Sequence, residues 1–317
     1  MTQEQLAVDD APAPAPRPPS TFVVSLTPFT RAGALDEPGL RAHLQRLGAA
    51  GIGTYLAGSG SGEGYTLSRD ERGRVFAIGM EELGGTVPVR AMGVEPRTAA
   101  EVVALAEDAV AAGLDATQVY SLDLGHGYVP TSDEMTTYLR TVLDEAPGDL
   151  VLSTHHSVGY HYPPDRLGEL VSAYPSVIGV NVTHPELTYV AEVLAAIDGR
   201  ADVHVGGPVH ALGALALGAQ GYLSSEGNLA PRLCVSLIER FVAGDRDAAA
   251  GIHAQILQVF EATQALGGIV GAKAALQLLG AAGGWPRPPR LPVDAERARS
   301  LVDVLRELGL DRSEGLA

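Results

Sequence analysis

VIGVNVTHPE, residues Val177–Glu186, is the stretch on which the reading of this chain turns. Its run of valine and isoleucine, closed by His184 and Pro185, predicts a strand buried on both faces, as in a parallel sheet. One amide, Asn181, stands inside that apolar run.

Seven further runs of the same kind lie outward from it: FVVSLTPF from Phe22, GTYLAGSG from Gly53, VPVRAMG from Val87, ATQVYSL from Ala116, DLVLSTHH from Asp149, ADVHVGG from Ala201 and GYLSSE from Gly221. Longer amphipathic segments separate them, several opening on Asp, Ser or Thr and closing on Gly, which are helix-capping signals. Eight strand–helix units filling about 250 residues predict an α/β fold, a (β/α)₈ TIM barrel. The expected boundaries are an Ala/Pro-rich disordered tail over 1–20, the barrel over 21–243 and a C-terminal helical extension over 244–317. An open doubly wound sheet is the second choice, but SLTPFTRAG after the first strand lacks the Gly-rich dinucleotide loop.

Composition narrows the partners. The chain has 317 residues, 46% hydrophobic and 19% charged, with a formal net charge of -16, which disfavours nucleic acid and anionic membrane surfaces. No apolar run reaches the roughly 18 residues of a membrane helix, and MTQEQLAVDDAPAPAPRPPS has no secretory pattern, so a cytoplasmic location is expected. The one cysteine, Cys234, excludes an internal disulfide framework and reads as a small buried hydrophobe on a helix.

In a barrel of this type, residues just past the carboxyl end of each strand line the active-site mouth. GSGSGEGYTLS, Gly58 to Ser68, places backbone N–H groups beside Ser59 and Ser61, which reads either as a cradle for a carboxylate or as a plain Gly/Ser turn. His126, His155, His156, His184 and His210 all fall at or just beyond strand ends, where imidazoles serve acid–base work. His43 and His253 are expected on helices in solvent, and His204 as a hydrogen-bonded core residue. Glu226 is the better chemical carboxylate, Glu63 the structural one, while Tyr65, Tyr128 and Tyr160 are proton donors or packing rings. No metal-ligand spacing is present, so neither a metal nor another cofactor is expected.

The segments TPF near Thr27, GSGSGEGYTLSRDER, YVPTSDEM, IGVNVTHPEL and GAQGYLSSEGNLAPRL, in this order, resemble the dihydrodipicolinate synthase and N-acetylneuraminate lyase superfamily. The resemblance runs from about Thr21 to Leu308. It implies a barrel with a helical extension, a dimeric or tetrameric homo-oligomer, and chemistry on 2-oxo acids through a lysine Schiff base. Aligning the family's sixth-strand motif, which resembles IGIKDSSGD, with IGVNVTHPE puts Asn181 at the lysine. An amide nitrogen has a delocalised lone pair and forms no iminium. The chain's one lysine, Lys273, lies in GAKAALQLLG and matches a different family lysine. The resemblance also sets Ser153 at the proton-relaying tyrosine, Val158 at the semialdehyde-binding arginine, and His126 and Gly127 at a tyrosine pair. The carboxylate-binding GTTGE motif survives as GSGE, Gly60 to Glu63.

The leading expectation is therefore a lyase, an aldolase or a hydratase, acting on a small 2-oxo or 2-hydroxy carboxylic acid without a covalent intermediate. Ser59, Gly60, Ser61, Gly62, Tyr160, His184 and His210 would bind substrate. Asn181 and Ser153 would hydrogen-bond the oxygen on which charge develops, His126, His155 or His156 would move the proton, and Glu226 would assist. Two other readings are a non-catalytic small-acid-binding homologue and a metal-dependent aldolase or hydrolase using the histidines.

Overall fold

The structure, a computed structural model, describes residues 18–156 and 161–316. Its strands are β1 (Ser20–Val24), β2 (Gly53–Leu56), β3 (Val89–Ala91), β4 (Ala116–Val119), β5 (Leu150–His155), β6 (Val177–Thr183), β7 (Asp202–Gly206) and β8 (Gly221–Ser224). All pair in parallel and in chain order, and β8 returns to β1 with Ser20 opposite Gly221, closing the barrel. A Cβ at Gly221 would lie 1.6 Å from the Ser20 carbonyl oxygen, so the closing strand pair requires a glycine there. The predicted barrel is thus present, with every strand run in its place. The first strand begins at Ser20, inside the stretch read as tail; residues 1–17 lie outside the described residues.

The strands are followed by α1 (Glu37–Ala50), α2 (Arg69–Leu83), α3 (Ala99–Ala112), α4 (Ser132–Glu145), α5 (Pro164–Ala173), α6 (Leu187–Ile197), α7 (Ala211–Ala216) and α8 (Pro231–Val242). Beyond them come α9 (Arg246–Ala265), α10 (Ile269–Leu278), α11 (Ala295–Glu307) and the short α12 (Leu310–Ser313). The capping signals act as read: Ser68 Oγ accepts the Glu71 N–H at 3.2 Å while the Glu71 carboxylate accepts the Ser68 N–H at 3.0 Å, fixing the start of α2. Arg287 grips the same Glu71 carboxylate through both Nη atoms at 2.9 and 2.7 Å, tying the start of α2 to the C-terminal segment. Among the described residues no helix is long and apolar enough to cross a membrane.

Two apolar bodies result. The larger fills the space between strands and helices, with Leu44, Phe76, Val142 and Val193 fully buried. The smaller, Phe22, Tyr55, Met92, Tyr120 and Leu223, fills the barrel axis. Polar groups share that axis: Arg90 lies over the Phe22 ring at 4.3 Å, and His204 accepts or donates a hydrogen bond with Ser20 Oγ at 3.0 Å. Burial holds the His204 imidazole down to about 3, so it is a neutral core residue as expected. His43 departs from expectation. It sits on α1, but on the face turned to the barrel, fully buried, with Nε2 3.0 Å from Asn228 Oδ1 and its pKa likewise pushed down to about 3 by burial. His253 is half-buried on α9, bonded to the Pro208 carbonyl at 2.7 Å. Cys234 is fully buried on α8, as read.

Candidate active site

Side chains alternate between the two faces of a strand, so register fixes which residues meet inside the barrel. On β5 and β6, Ser153 stands opposite Asn181 and His155 opposite Thr183. All four line a cavity of about 540 Å³ at the carboxyl ends of the strands, together with Ser59, Gly60, Ser61, Glu95, Gln118, Tyr120 and Ser225. The intervening Thr154 turns outward, its Oγ1 3.2 Å from Tyr189 Oη on α6. Phe260 and Gln264 of α9 also line the cavity, so the helical extension completes its wall.

Asn181 is held from below. Its Nδ2 donates to Gln118 Oε1 at 2.5 Å and to Tyr55 Oη at 3.3 Å, and Tyr55 Oη also accepts from Arg90 Nη1 at 3.1 Å. Both amide hydrogens are therefore taken, while Oδ1 is buried with no partner. The atom that Asn181 leaves free is thus an acceptor, where a donor was expected. An unpaired buried carbonyl oxygen costs about 1–3 kcal/mol, which a ligand hydroxyl would recover.

The cavity's carboxylate is Glu95, in the loop after β3, which sequence reasoning passed over. Ser59 Oγ donates to its Oε2 at 2.6 Å. Its charge raises the pKa of His155, opposing the larger lowering by burial, so the two groups act on one another across the cavity. His155 Nδ1 is buried without a partner. Burial, with Glu95 adding to it, also raises the pKa of Tyr120, keeping that phenol protonated. Next to Ser59, the backbone N–H groups of Gly60 and Ser61 are engaged in no hydrogen bond among the described residues, which fits them for an anion's oxygens.

Several expected site residues stand elsewhere. Gly62 does not line the cavity; it packs under the loop, where a Cβ would come within 2.6 Å of the Gly58 nitrogen. Glu226 is 1% exposed beneath the loop after β8, accepting from Ser225 Oγ at 2.5 Å and Ser224 Oγ at 3.0 Å. It positions those serines, which do line the cavity, and burial raises its pKa. His126 is exposed on the loop after β4 and lines no part of the cavity. His210 bonds the Pro185 carbonyl at 2.8 Å, and neither it nor His156 or His184, each the first residue past the end of its strand, lines the cavity. Val158 and Tyr160 lie outside the described residues.

Lys273, on α10, is fully buried and fully committed. Its Nζ donates to the Thr27 carbonyl at 2.8 Å, the Trp285 carbonyl at 3.1 Å and the Glu63 carboxylate, which uses the three hydrogens of an ammonium. Glu63 also accepts the Arg287 N–H at 3.0 Å, so it has the structural role read for it. Burial lowers the lysine's pKa, against the pull of Glu63. Lys273 does not line the cavity.

The fold and this geometry define a (β/α)₈ barrel with a polar pocket where such barrels carry their sites, at the carboxyl ends of the strands. The chain belongs to the Dihydrodipicolinate synthetase family, whose profile matches residues 19–308. Among its relatives, the 4-hydroxy-tetrahydrodipicolinate synthase of Methanopyrus kandleri is 28% identical over 287 residues, 90% of this chain and 94% of the relative. That of Hyphomonas neptunium is 30% identical over 286 residues, 89% and 95% of the two chains. Among solved structures, YagE, a prophage protein of E. coli from the dihydrodipicolinic acid synthase family in complex with pyruvate, superposes with a TM-score of 0.83 at 26% identity, over 92% of this chain and 99% of its own.

Proposed function

We propose that the protein is a lyase of aldolase or hydratase type that acts on a small 2-oxo or 2-hydroxy carboxylic acid without forming a lysine Schiff base. The activity for which the synthase relatives are named and the pyruvate held by YagE support the substrate class. One observation carries the departure from a Schiff base: the chain's one lysine is locked against Glu63, Thr27 and Trp285, outside the cavity, while Asn181 occupies the wall.

In this reading the substrate carboxylate docks on the free N–H groups of Gly60 and Ser61. Its 2-oxygen lies between Ser153 and Asn181, register partners on β5 and β6, where Asn181 Oδ1 accepts a hydroxyl or enol hydrogen. His155 moves the proton, and Glu95 stabilises the imidazolium that results. Losing an iminium removes a full positive charge that acts as electron sink, and one well-placed donor replaces only about 2.7–4 kcal/mol of that stabilisation. The free N–H groups are taken by the carboxylate and the Ser225 hydroxyl by Glu226, so the Ser153 hydroxyl is the donor beside the 2-oxygen, and the reaction calls for a substrate already activated at the bond that breaks.

The reading is tested by following 2-oxo and 2-hydroxy acids by proton NMR, for turnover and for exchange of the hydrogens next to the carbonyl in deuterium oxide. Wild-type protein should turn over or exchange at least one such acid, and His155→Asn should abolish this while retaining binding. Binding without any exchange, unchanged by His155→Asn, would instead identify a non-catalytic small-acid-binding homologue.

A further inference from the structure

The outward turn of His156 and His184 brings together a group that the sequence spacing conceals. His156 follows the cavity-lining His155 and His184 follows the cavity-lining Thr183, so both leave the barrel on its outer rim between β5 and β6. His161 joins them. One ligand atom from each of the three imidazoles falls within 4.8 Å of the others. His161 Nδ1 and His184 Nε2 are 3.0 Å apart, and the His156 and His184 ring centroids are 5.0 Å apart.

We propose that His156, His161 and His184 form a binding site for a divalent transition metal of the zinc class, on the rim beside the proposed active site and separate from it. Imidazole is the ligand type that suits such ions, and three of them with no carboxylate disfavour magnesium or calcium. Zinc–nitrogen bonds of about 2.0–2.1 Å place tetrahedral ligand atoms roughly 3.4 Å apart. The His161–His184 pair is already that close, and a ring nitrogen of the exposed His156 lies within 4.8 Å of both.

The surroundings fit ligation. His184 Nδ1 accepts the Glu186 N–H at 3.1 Å and lies 3.4 Å from the Glu186 carbonyl oxygen, so a metal taking Nε2 would move the ring proton to Nδ1 and exchange the first contact for a hydrogen bond to that carbonyl, the usual outer contact of a metal-bound histidine. Tyr189 supports two of the rings, its centroid 4.3 Å from those of both His161 and His184, and its hydroxyl is fixed on the Tyr162 carbonyl at 2.5 Å. A three-histidine set leaves a coordination position for water or a ligand.

The test uses untagged full-length protein stripped with chelator and titrated with zinc chloride by calorimetry, with cobalt(II) absorption near 600 nm reporting coordination geometry. One metal per chain is expected, with His156→Ala and His184→Ala each weakening binding at least tenfold and His253→Ala leaving it unchanged. Circular dichroism checks folding, and the exposed His156 keeps the test open if His184→Ala does not fold. No binding at 100-fold excess of metal over protein, or binding that both rim variants leave unchanged, would overturn the proposal. Because borohydride trapping and proton exchange do not involve this site, failure here leaves the lyase reading standing.

Discussion

Asn181 donates to Gln118 at 2.5 Å across the barrel axis, and this contact turns the strand position that the resemblance assigns to a lysine into a fixed acceptor. Replacing Asn181 with Ala should lower kcat/KM by one to two orders of magnitude, about 1.4–2.8 kcal/mol in the barrier. It also strands Gln118 Oε1, so the urea midpoint should fall by an amount equivalent to about 1–3 kcal/mol. Steady-state kinetics and denaturation of the same preparation check both, and unchanged kinetics would remove Asn181 from the site.

Glu95→Gln separates binding from catalysis. The carboxylate shares the cavity with the proposed substrate anion, so neutralising it should leave the affinity for an unreactive 2-oxo acid the same or tighter. Turnover should nevertheless fall at least tenfold, because the imidazolium of His155 loses its counter-charge. Weaker binding with unchanged turnover would contradict the assignment.

The Lys273–Glu63 pair should behave as a buried ion pair does. Lys273→Met leaves Glu63 charged and enclosed and should destabilise by about 3–5 kcal/mol, read from urea unfolding. The double variant with Glu63→Gln should recover a large part of that loss. A single variant as stable as wild type would show that the pair is not closed to solvent.

His43 and His204 set a pH dependence of known sign. Each has a folded pKa of about 3, below the roughly 6.5 of an unfolded histidine, so between those values the unfolded chain binds protons that the native one does not. Their contribution is complete above about pH 6.5 and is lost as pH falls towards 3, at about 1.4 kcal/mol per pH unit for each. In urea unfolding between pH 7.5 and 4, His43→Gln should flatten the dependence by about that slope. An identical slope in the variant would refute the assignment.

How much of this was legible in the sequence follows from what each signal measures. β-branched runs of strand length, bounded by Gly and Pro, report burial on both faces, and every one of them became a barrel strand. The rule that polar residues at or just past a strand end line the mouth found Ser61 and His155, the family resemblance found Ser153, and the same rule applied to VPVRAMGVEP would have found Glu95 as well. The rule has no parity, however. It cannot separate His155, which points in, from His156, which points out, although counting in twos from Asn181 through Thr183 would have sent His184 outward. His43 was misread for another reason: its partner Asn228 is 185 residues away and is brought to it by tertiary packing that no local pattern carries.

The central claim, that the reaction uses no iminium, is tested most directly by incubating the protein with pyruvate, reducing with sodium borohydride, and measuring the intact mass before and after. An unchanged mass is expected under conditions that trap a lysine-dependent family member run alongside. A stable increment of reduced pyruvate mapping to Lys273 would contradict it, because that amine would then have left Glu63, Thr27 and Trp285 to enter the cavity.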